Sequence, residues 1–450
     1  MTAWRPRAQG SHDHAFQSSQ LRTEIADPLL QATEDISEWI PGALVCTGPN
    51  ISLVNRCTRV VLLNKLLDHF SAEVVPRMTW IEVPGNLWSN SMRAFAQSSD
   101  CLSLSLTCLA AAHLSATRAD PINQCSPFHQ MHIQLREISL QYVNDRITSI
   151  LTNTPGEMHD ETIRTWLTEV LASMVALRYS EAFVPTPTRW QLHLRGCQTV
   201  VDQLSSYHRR EPERSVETFL IKEVADFEAL DAFSSLSRTS PPVTKSYSVP
   251  TCSDSFWGFL GLIREITCAE RKRQRSQQNQ HMPAMDMTVW HLRAHESYLA
   301  IVSNISDMFT SQEKMGCFEQ VVRTHYYATI IYSYHALAPE AINETAVMAD
   351  DLFAILKDIS ITDSTAMKGF LHDLFFPLLI AGAQCSTDKG LQSMIERLFL
   401  KALHTSGVWC NDTSLQFLRS YWQRPEVDVD MTWIRYARSK RIQARDFIVF

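Results

Sequence analysis

From Ile51 onward, apolar residues recur at intervals of three and four positions along most of the chain. That spacing places them on one face of an α-helix. We predict helices over Leu53–Phe70, Ile163–Leu177, Phe219–Phe233, Val289–Met308, Phe318–Leu337, Met348–Ile359 and Met367–Ala383. Alternation typical of strands is nearly absent, since the Leu-Ser repeat after Cys101 runs into the helix-forming segment TCLAAAHLSA. The pattern therefore predicts an all-α fold.

Breaks between these helices divide the chain without separating it into domains. Turn signals occur at Pro84-Gly85-Asn86, at 153–156 and at Pro185-Thr186-Pro187. Polar loops are predicted around 206–215, 237–252 and 270–284, the last as a mobile insertion. Residues 1–50 are polar and are predicted to be a largely disordered tail. We predict one large helical domain over residues 51–450.

The composition favours long helices and argues against a domain whose main role is to bind nucleic acid. The chain has 13 glycines among 450 residues, about 3%, against roughly 7% in average proteins. Its formal net charge is −7, whereas domains built mainly to hold nucleic acid usually carry a basic surplus. Any contact with DNA is therefore expected to be local or to come from another segment.

The eleven cysteines are dispersed, and the two closest, Cys101 and Cys108, are seven residues apart. Zinc and iron–sulfur sites usually show tight pairs such as C-x-x-C, so no metal site is predicted and buried apolar roles are favoured. The N-terminus has no apolar run typical of a secretory signal. The longest apolar run, Leu374–Ala383, is interrupted by Pro377 and predicts a buried helix rather than a membrane span.

Sequence motifs for catalysis are absent, since no nucleophile elbow, P-loop, dinucleotide fingerprint or H-E-x-x-H occurs. We predict no enzyme activity, no catalytic residues and no cofactor. The most concentrated positive charge is the run Arg271, Lys272, Arg273 and Arg275. It is interpreted either as a nuclear-import signal or phosphate contact, or as a solvated helix end. His12-Asp13-His14 is interpreted as part of a solvated tail rather than as a metal site.

Other polar and aromatic clusters are interpreted mainly as structural. Trp190, His193 and Arg195 fit the start of a helix, and His372-Asp373 resembles a catalytic pair only superficially. An aromatic stripe on one predicted helix consists of Tyr326, Tyr327, Tyr332 and Tyr334. Such a stripe is more often core than a ligand site, although it could line a pocket for a small-molecule effector between helices.

Four segments, taken together and in order, resemble the fungal-specific transcription factor regulatory domain found C-terminal to binuclear zinc clusters. They are LLDHFSAEVVPRMTWIEVPGNLWSNSMRAFAQSSDCLSLSLTCLAAAHLS (66–115), WQLHLRGCQTVV (190–201), LFFPLLIAGAQC (374–385) and YWQRPEVDVDMTW (421–433). The resemblance covers roughly residues 51–450. It implies an α-helical fold related to the middle homology region of these factors. It also implies a nuclear regulator, often of secondary-metabolite or catabolic gene clusters, that forms a dimer.

The family's zinc cluster has six cysteines that open with a C-x2-C-x6-C pattern, and this pattern does not occur here. Only Cys46 and Cys57 precede residue 100. Three explanations stay open: an upstream exon is missing from the gene model, the protein acts through a partner, or the domain has another use.

Three hypotheses of function follow. The first is a transcriptional regulator, controlling a fungal biosynthetic gene cluster as a homodimer or as a heterodimer with a zinc-cluster factor. The second is a co-regulator or inhibitor without DNA affinity of its own. The third, least favoured, is an enzyme on the same helical scaffold, with His193, His325, His335 or Asp373 as candidate catalytic residues.

Overall fold

The computed structural model describes residues 61–78, 87–118, 126–152, 160–185, 190–206, 216–234, 257–277, 286–385, 387–424 and 431–439. Within these ranges 91% of the residues are helical and no strand occurs, so the predicted all-α class is confirmed. The tail at 1–50, the turns at Pro84-Gly85-Asn86 and 153–156, and the loop at 237–252 lie outside the described residues, as do nearly all of the loop at 206–215 and His12-Asp13-His14.

Helices are numbered here in chain order. The first, α1, covers 61–69, a π-helical turn at Phe70–Val74 and a last turn at Val75–Met78; α2 joins a π-helical turn at Trp88–Met92 to Arg93–Ser98. The first half continues with α3 (Asp100–Arg118), α4 (Pro127–Thr152), α5 (Asp160–Ser180), α6 (Trp190–Ser206) and α7 (Val216–Ser234). The second half contains α8 (Trp257–Gln277), α9 (Thr288–Val302), α10 (Gln312–Leu337), α11 (Ala346–Ile361), α12 (Phe375–Gln384), α13 (Lys389–Ser406), α14 (Asp412–Trp422) and α15 (Trp433–Ser439).

Two helices, α5 and α10, form the centres of the two halves. Every residue from 167 to 178 in α5 and from 328 to 335 in α10 is buried. A helix buried all round needs neighbours on every side. The helices α3, α4, α6 and α7 pack around α5, whereas α8, α9, α11 and α12 pack around α10. The contact between α7 and α8 joins the halves, and one continuous apolar core extends from Leu62 to Ala437.

The C-terminal helix α15 closes this core through an aromatic cluster. Trp433 is fully buried, and its ring lies 6.2 Å, centroid to centroid, from each of Phe233, Tyr332 and Phe417. Near the end of α15, Arg438 donates to both carboxylate oxygens of Glu270 on α8, at 2.6 and 2.8 Å. Since these partners belong to α7, α8, α10 and α14, α15 ties elements from both halves together.

The prediction of a single helix over Met367–Ala383 is wrong. A one-turn helix at Thr365–Lys368 is followed by a 3-10 turn at Leu371–Leu374 before α12 begins. Pro377 explains the break, because proline has no N–H to donate to the carbonyl four residues earlier. That carbonyl belongs to Asp373, and it accepts a hydrogen bond from His325 Nε2 at 2.7 Å instead.

Two further boundaries differ from the sequence prediction. The predicted helix Val289–Met308 ends at Val302 and is followed by a separate turn at Ile305–Met308, because Ser303 and Asn304 side chains both donate to the Ala300 carbonyl and end the helix. The predicted loop at 270–284 is helical as far as Gln277. Tertiary contacts, including the Glu270–Arg438 ion pair at 2.6 Å, hold that polar segment in α8.

Residue signals at both ends of α13 define its length. At the start, Asp388 accepts hydrogen bonds from the backbone N–H groups of Gly390 (2.8 Å) and Leu391 (3.0 Å), as an N-cap residue does. At the end, Gly407 has a φ of 73°, the left-handed conformation that glycine adopts without strain. A Cβ at Gly407 would lie 2.9 Å from Thr117 Cγ2, so the end of α13 lies directly against the end of α3.

Candidate functional site

A surface groove of about 670 Å³ lies where α1, the C-terminal end of α3 and the C-terminal end of α13 meet. Polar and charged side chains form most of its wall. The lining residues are Lys65, Asp68, His69, Ala72, Glu73, Arg77, His113, Thr117, Arg118, His404 and Thr405. We call it the histidine groove.

Two histidines from different helices are hydrogen-bonded at the base of the histidine groove. His69 Nε2 and His113 Nδ1 are 2.9 Å apart, so one nitrogen donates and the other accepts. Burial lowers the pKa of His69 to about 4 and that of His113 to about 2. Both rings are therefore neutral at pH 7. When His69 is the donor, His113 carries its proton on Nε2.

The His113 Nε2 atom is buried and has no hydrogen-bond partner among the described residues. The remainder of the ring is enclosed, since it packs edge-on against Phe183 with a centroid distance of 5.1 Å. A buried polar atom without a partner costs about 1–3 kcal/mol. Because this atom has almost no accessible surface, a ligand in the groove would not reach it without a rearrangement of the groove wall.

Charges of both signs lie close to the histidine pair. Glu73 acts to raise the pKa of His69, whereas Arg118 and Arg77 act to lower it, and both arginines also lower the pKa of His113. The acidic side chains of the lining are engaged: Asp68 accepts from Arg93 at 2.6 Å, and Glu73 lies 3.2 Å from Arg77. The groove thus combines guanidinium groups with a neutral imidazole pair.

Local helix geometry helps to form this site. His69 immediately precedes the π-helical turn Phe70–Val74, and Ala72 and Glu73 lie within it. Single π-helical turns occur frequently at functional sites because they change the direction of the side chains that follow. On the opposite wall, Trp409 Nε1 donates to the Ala116 carbonyl at 3.1 Å. That bond holds the segment after α13 against the end of α3.

A second, smaller groove of about 450 Å³ lies between α14 and α15. Its two arginines are engaged within the protein. Arg419 pairs with Glu396, and the guanidinium of Arg424 lies 4.0 Å from the centre of the Tyr421 ring. Both arginines of this groove therefore already have partners within the protein.

The basic run singled out in the sequence lies in the last two turns of α8. Arg271 is buried and donates to the Ala232 carbonyl, and burial lowers the pKa of its guanidinium. Lys272 and Arg275 are exposed, and Arg273 is half-buried. Three of the four basic side chains therefore reach the surface at this helix end, and the import role stays a prediction.

The cluster at the start of α6 belongs to the interface with α5. Trp190 is buried, and the guanidinium of Arg178 lies 4.7 Å from the centre of its ring. His193 is buried with Nε2 3.8 Å from Glu181 Oε1, whereas Arg195 is exposed. The structure does not bring His193 and Arg195 together at one site.

The other candidate catalytic residues lie inside the second half. His325 is buried, and burial lowers its pKa to about 4. His335 is buried beside Trp433, with a pKa lowered to about 3. His372 Nε2 lies 3.2 Å from Asp373 Oδ1, but burial lowers the pKa of His372 to about 3 and raises that of Asp373 well above its usual range, so burial disfavours the charged form of each. His325 contacts the Asp373 carbonyl rather than its carboxyl.

The tyrosine stripe divides between core and surface. Tyr332 is buried, with its hydroxyl 2.7 Å from Thr267 Oγ1, and buried Tyr334 donates to Glu344 at 3.2 Å. Tyr326 and Tyr327 are half-buried, and the ring of Tyr326 lies 5.4 Å from that of Tyr298 on α9. The stripe itself lines neither groove.

Six of the seven described cysteines are buried and the seventh, Cys268, is half-buried, which agrees with the predicted apolar role. Burial raises the pKa of the Cys108 and Cys197 thiols to about 12. In the part of the chain that the structure describes, no group of three or more His, Cys, Asp or Glu side chains could hold a metal ion. None of the described helices is long and apolar enough to cross a membrane.

Comparison with known protein families assigns this helical chain to one of them. Residues 65–444 match the model of the fungal specific transcription factor domain. The chain belongs to this family. No zinc cluster domain accompanies the match. No curated protein and no solved structure was found that matches the chain.

Membership of the fungal specific transcription factor domain family supports a role in transcriptional regulation. A transcription factor family is not a family of enzymes. The match contains all four segments in which the resemblance was recognised, from 66–115 to 421–433, as well as both histidines of the groove.

Sequence reasoning quoted His69 and His113 only as parts of family segments. The two residues are 44 positions apart on different helices. Periodicity places each on its own helix, but it gives no information on which helices meet. One signal was available in the sequence, because a histidine inside the otherwise apolar run TCLAAAHL is a polar residue at a buried position.

Proposed function

We propose that this protein is a nuclear transcriptional regulator that controls a fungal biosynthetic gene cluster for secondary metabolites. The observation that carries the proposal is the family match over residues 65–444. Membership of a transcription factor family supports nuclear location in general terms. The protein is further proposed to have no catalytic activity.

Deletion of the gene is expected to change the transcript levels of a set of neighbouring, co-regulated genes. The measurement is transcript sequencing of the deletion strain and its parent under conditions that induce secondary metabolism and conditions that do not. Reintroducing the intact coding sequence should restore the parental pattern and serves as the control. Unchanged transcripts under every condition would contradict a regulatory role.

A second candidate function is a co-regulator that reaches DNA through a zinc-cluster transcription factor, as the other member of a heterodimer. The net charge of −7 favours this candidate, since repulsion from phosphates opposes direct binding. A homodimer that contacts DNA through a local basic segment is the alternative. The two differ in whether a partner is required.

Gel-shift assays with the full-length chain separate these candidates. The DNA is a set of promoter fragments from genes that respond to the deletion. For a co-regulator, the chain alone should leave the fragments unshifted, and a zinc-cluster protein mixed with it should produce a slower complex than that protein alone. Specific retardation by the purified chain alone would rule the co-regulator out.

A further inference from the structure

We propose that the outward apolar face of α9 is the docking surface for the apolar run at 447–450 of the same chain. The face consists of Val289, Leu292 and Leu299, and we call it the outer α9 stripe. The contact lies within one molecule and does not depend on the proposed function.

Helix α9 carries apolar residues on two sides. On the inner side, Ala294 and Ile301 are fully buried, and the helix packs on α8 and α10. On the outer side, Val289, Leu292 and Leu299 are 52%, 57% and 51% exposed. Steps of three and seven residues place these three side chains on one face of the helix. A helix that is apolar on both sides is expected to be covered on both sides.

The outer α9 stripe is also a concentration of exposed apolar surface. Nine large hydrophobic residues are exposed in the described part of the chain, and three of them lie on the 15 residues of α9. No other described helix carries more than two. Scattered exposed hydrophobic residues are normal, whereas a contiguous group marks a contact surface.

The sequence beyond α15 supplies a segment that matches this surface. After Ser439 the chain continues for eleven residues, KRIQARDFIVF, and four consecutive large apolar residues occupy 447–450. Such a run gains free energy by leaving water for an apolar surface. Arg441 and Arg445 precede the run, and Glu296 is exposed beside the outer α9 stripe. The charges next to the two apolar surfaces are therefore complementary.

The end of α15 lies within reach of α9. Arg438 donates to Glu270 of α8 at 2.6 Å, and Arg293 of α9 donates to Glu265 of α8 at 2.8 Å. These two carboxylates are five residues apart, roughly one and a half helical turns. Eleven extended residues span up to about 36–40 Å, whereas ten residues of helix, from 289 to 299, measure about 15 Å. The segment is long enough to reach the outer α9 stripe and to follow it.

Disulfide trapping in the full-length chain tests the proposal. Leu292→Cys is combined with Ile448→Cys or, separately, with Val449→Cys, because neighbouring residues of an extended segment face opposite ways. Mild oxidation should link at least one of these pairs within a single chain, as identified by peptide mass spectrometry. Leu192→Cys with the same partners is the matched control, since Leu192 is 59% exposed but lies on α6.

Two results of the trapping would overturn the proposal. One is linkage no more frequent than with the cysteine at position 192. The other is linkage only between two chains, which doubles the mass of the product and would show that a second copy covers the outer α9 stripe.

Maleimide labelling of the single variant Leu292→Cys measures the coverage without a cross-link. The cysteine at 292 should react at least tenfold more slowly than the one in Leu192→Cys. Adding Phe447→Asp and Val449→Asp should abolish this protection, because a charged side chain resists burial against an apolar surface. Gln443→Asp adds the same charge at a polar position and should leave the protection intact.

Equal labelling rates at 292 and 192 in the otherwise native chain would overturn the proposal. Protection at 292 that survives both aspartate substitutions at 447 and 449 would also overturn it, because another partner would then cover the outer α9 stripe. Circular dichroism of each variant confirms that the helical fold is retained.

Discussion

Acidifying the purified protein from pH 7 to about pH 5 is expected to unfold it. Four histidines are at least nine-tenths shielded from solvent and lie away from any compensating acid that would keep them charged: His113, His132, His325 and His335. Burial lowers their pKa values from 6.5 to between about 2 and about 4. In the unfolded chain the same side chains titrate near 6.5. Below that pH the unfolded state therefore binds protons that the folded state does not.

The direction and size of the effect follow from proton linkage. The full stability is present above pH 6.5, and it is lost as the pH falls from 6.5 toward the folded pKa values. Each such histidine lowers the free energy of unfolding by about 1.4 kcal/mol per pH unit, and four lower it by about 5.5 kcal/mol per pH unit. Burial raises the pKa of Asp373 and of Glu228, which acts in the opposite direction. The free energy of unfolding of a domain is about 5–15 kcal/mol. Protonation of the unfolded chain at these histidines is therefore large enough to unfold the protein.

Urea denaturation at a series of pH values between 7 and 5 measures this slope. His132→Gln, which removes one buried histidine, should reduce the slope by about one proton. His295→Gln removes an exposed histidine of α9 and should leave the slope unchanged. A free energy of unfolding that stays constant from pH 7 to pH 5 would contradict the neutral burial of these rings.

Replacing Trp433 by alanine is expected to lower the free energy of unfolding by about 3–5 kcal/mol. The indole is fully buried and contacts Phe233, Tyr332 and Phe417 from three different helices. Its removal leaves a cavity that these rings cannot fill without leaving their own contacts. Loss of α15 would also expose Glu270, whose carboxylate is held by Arg438.

Chemical denaturation followed by circular dichroism at 222 nm measures the change at pH 7.5. Trp290→Ala is the matched control, since this tryptophan on α9 is half-buried at the edge of the core. It should cost clearly less than Trp433→Ala. Equal losses for the two substitutions would show that α15 contributes little to the core.

The sequence allowed the helical class and the central helices to be predicted, because both depend on local periodicity. Ile163–Leu177 lies within α5, and Phe318–Leu337 lies within α10. The segment at 270–277 could not be assigned from its composition. Its polar residues resemble a loop, and only contacts such as that of Arg271 with the Ala232 carbonyl fix it as helix.

The break before α12 could not be predicted from the sequence for a different reason. Its position in an apolar run was evident from the sequence, but a proline is also tolerated in the first turn of a helix. Where α12 starts depends on the Asp373 carbonyl having another donor, and His325 supplies it from 48 residues away. The histidine groove could not be predicted for the same reason, because it depends on which helix ends meet in the folded chain.

The hydrogen bond between Trp409 and the Ala116 carbonyl joins residues 293 positions apart. On the ribosome, chains grow at about 5–20 residues per second, so roughly 15–60 s separate the synthesis of the two partners. During that interval His113 has already been made, whereas the wall of the groove that contains His404 and Thr405 has not. Nascent chains, and chains terminated before His404, would therefore lack a complete groove.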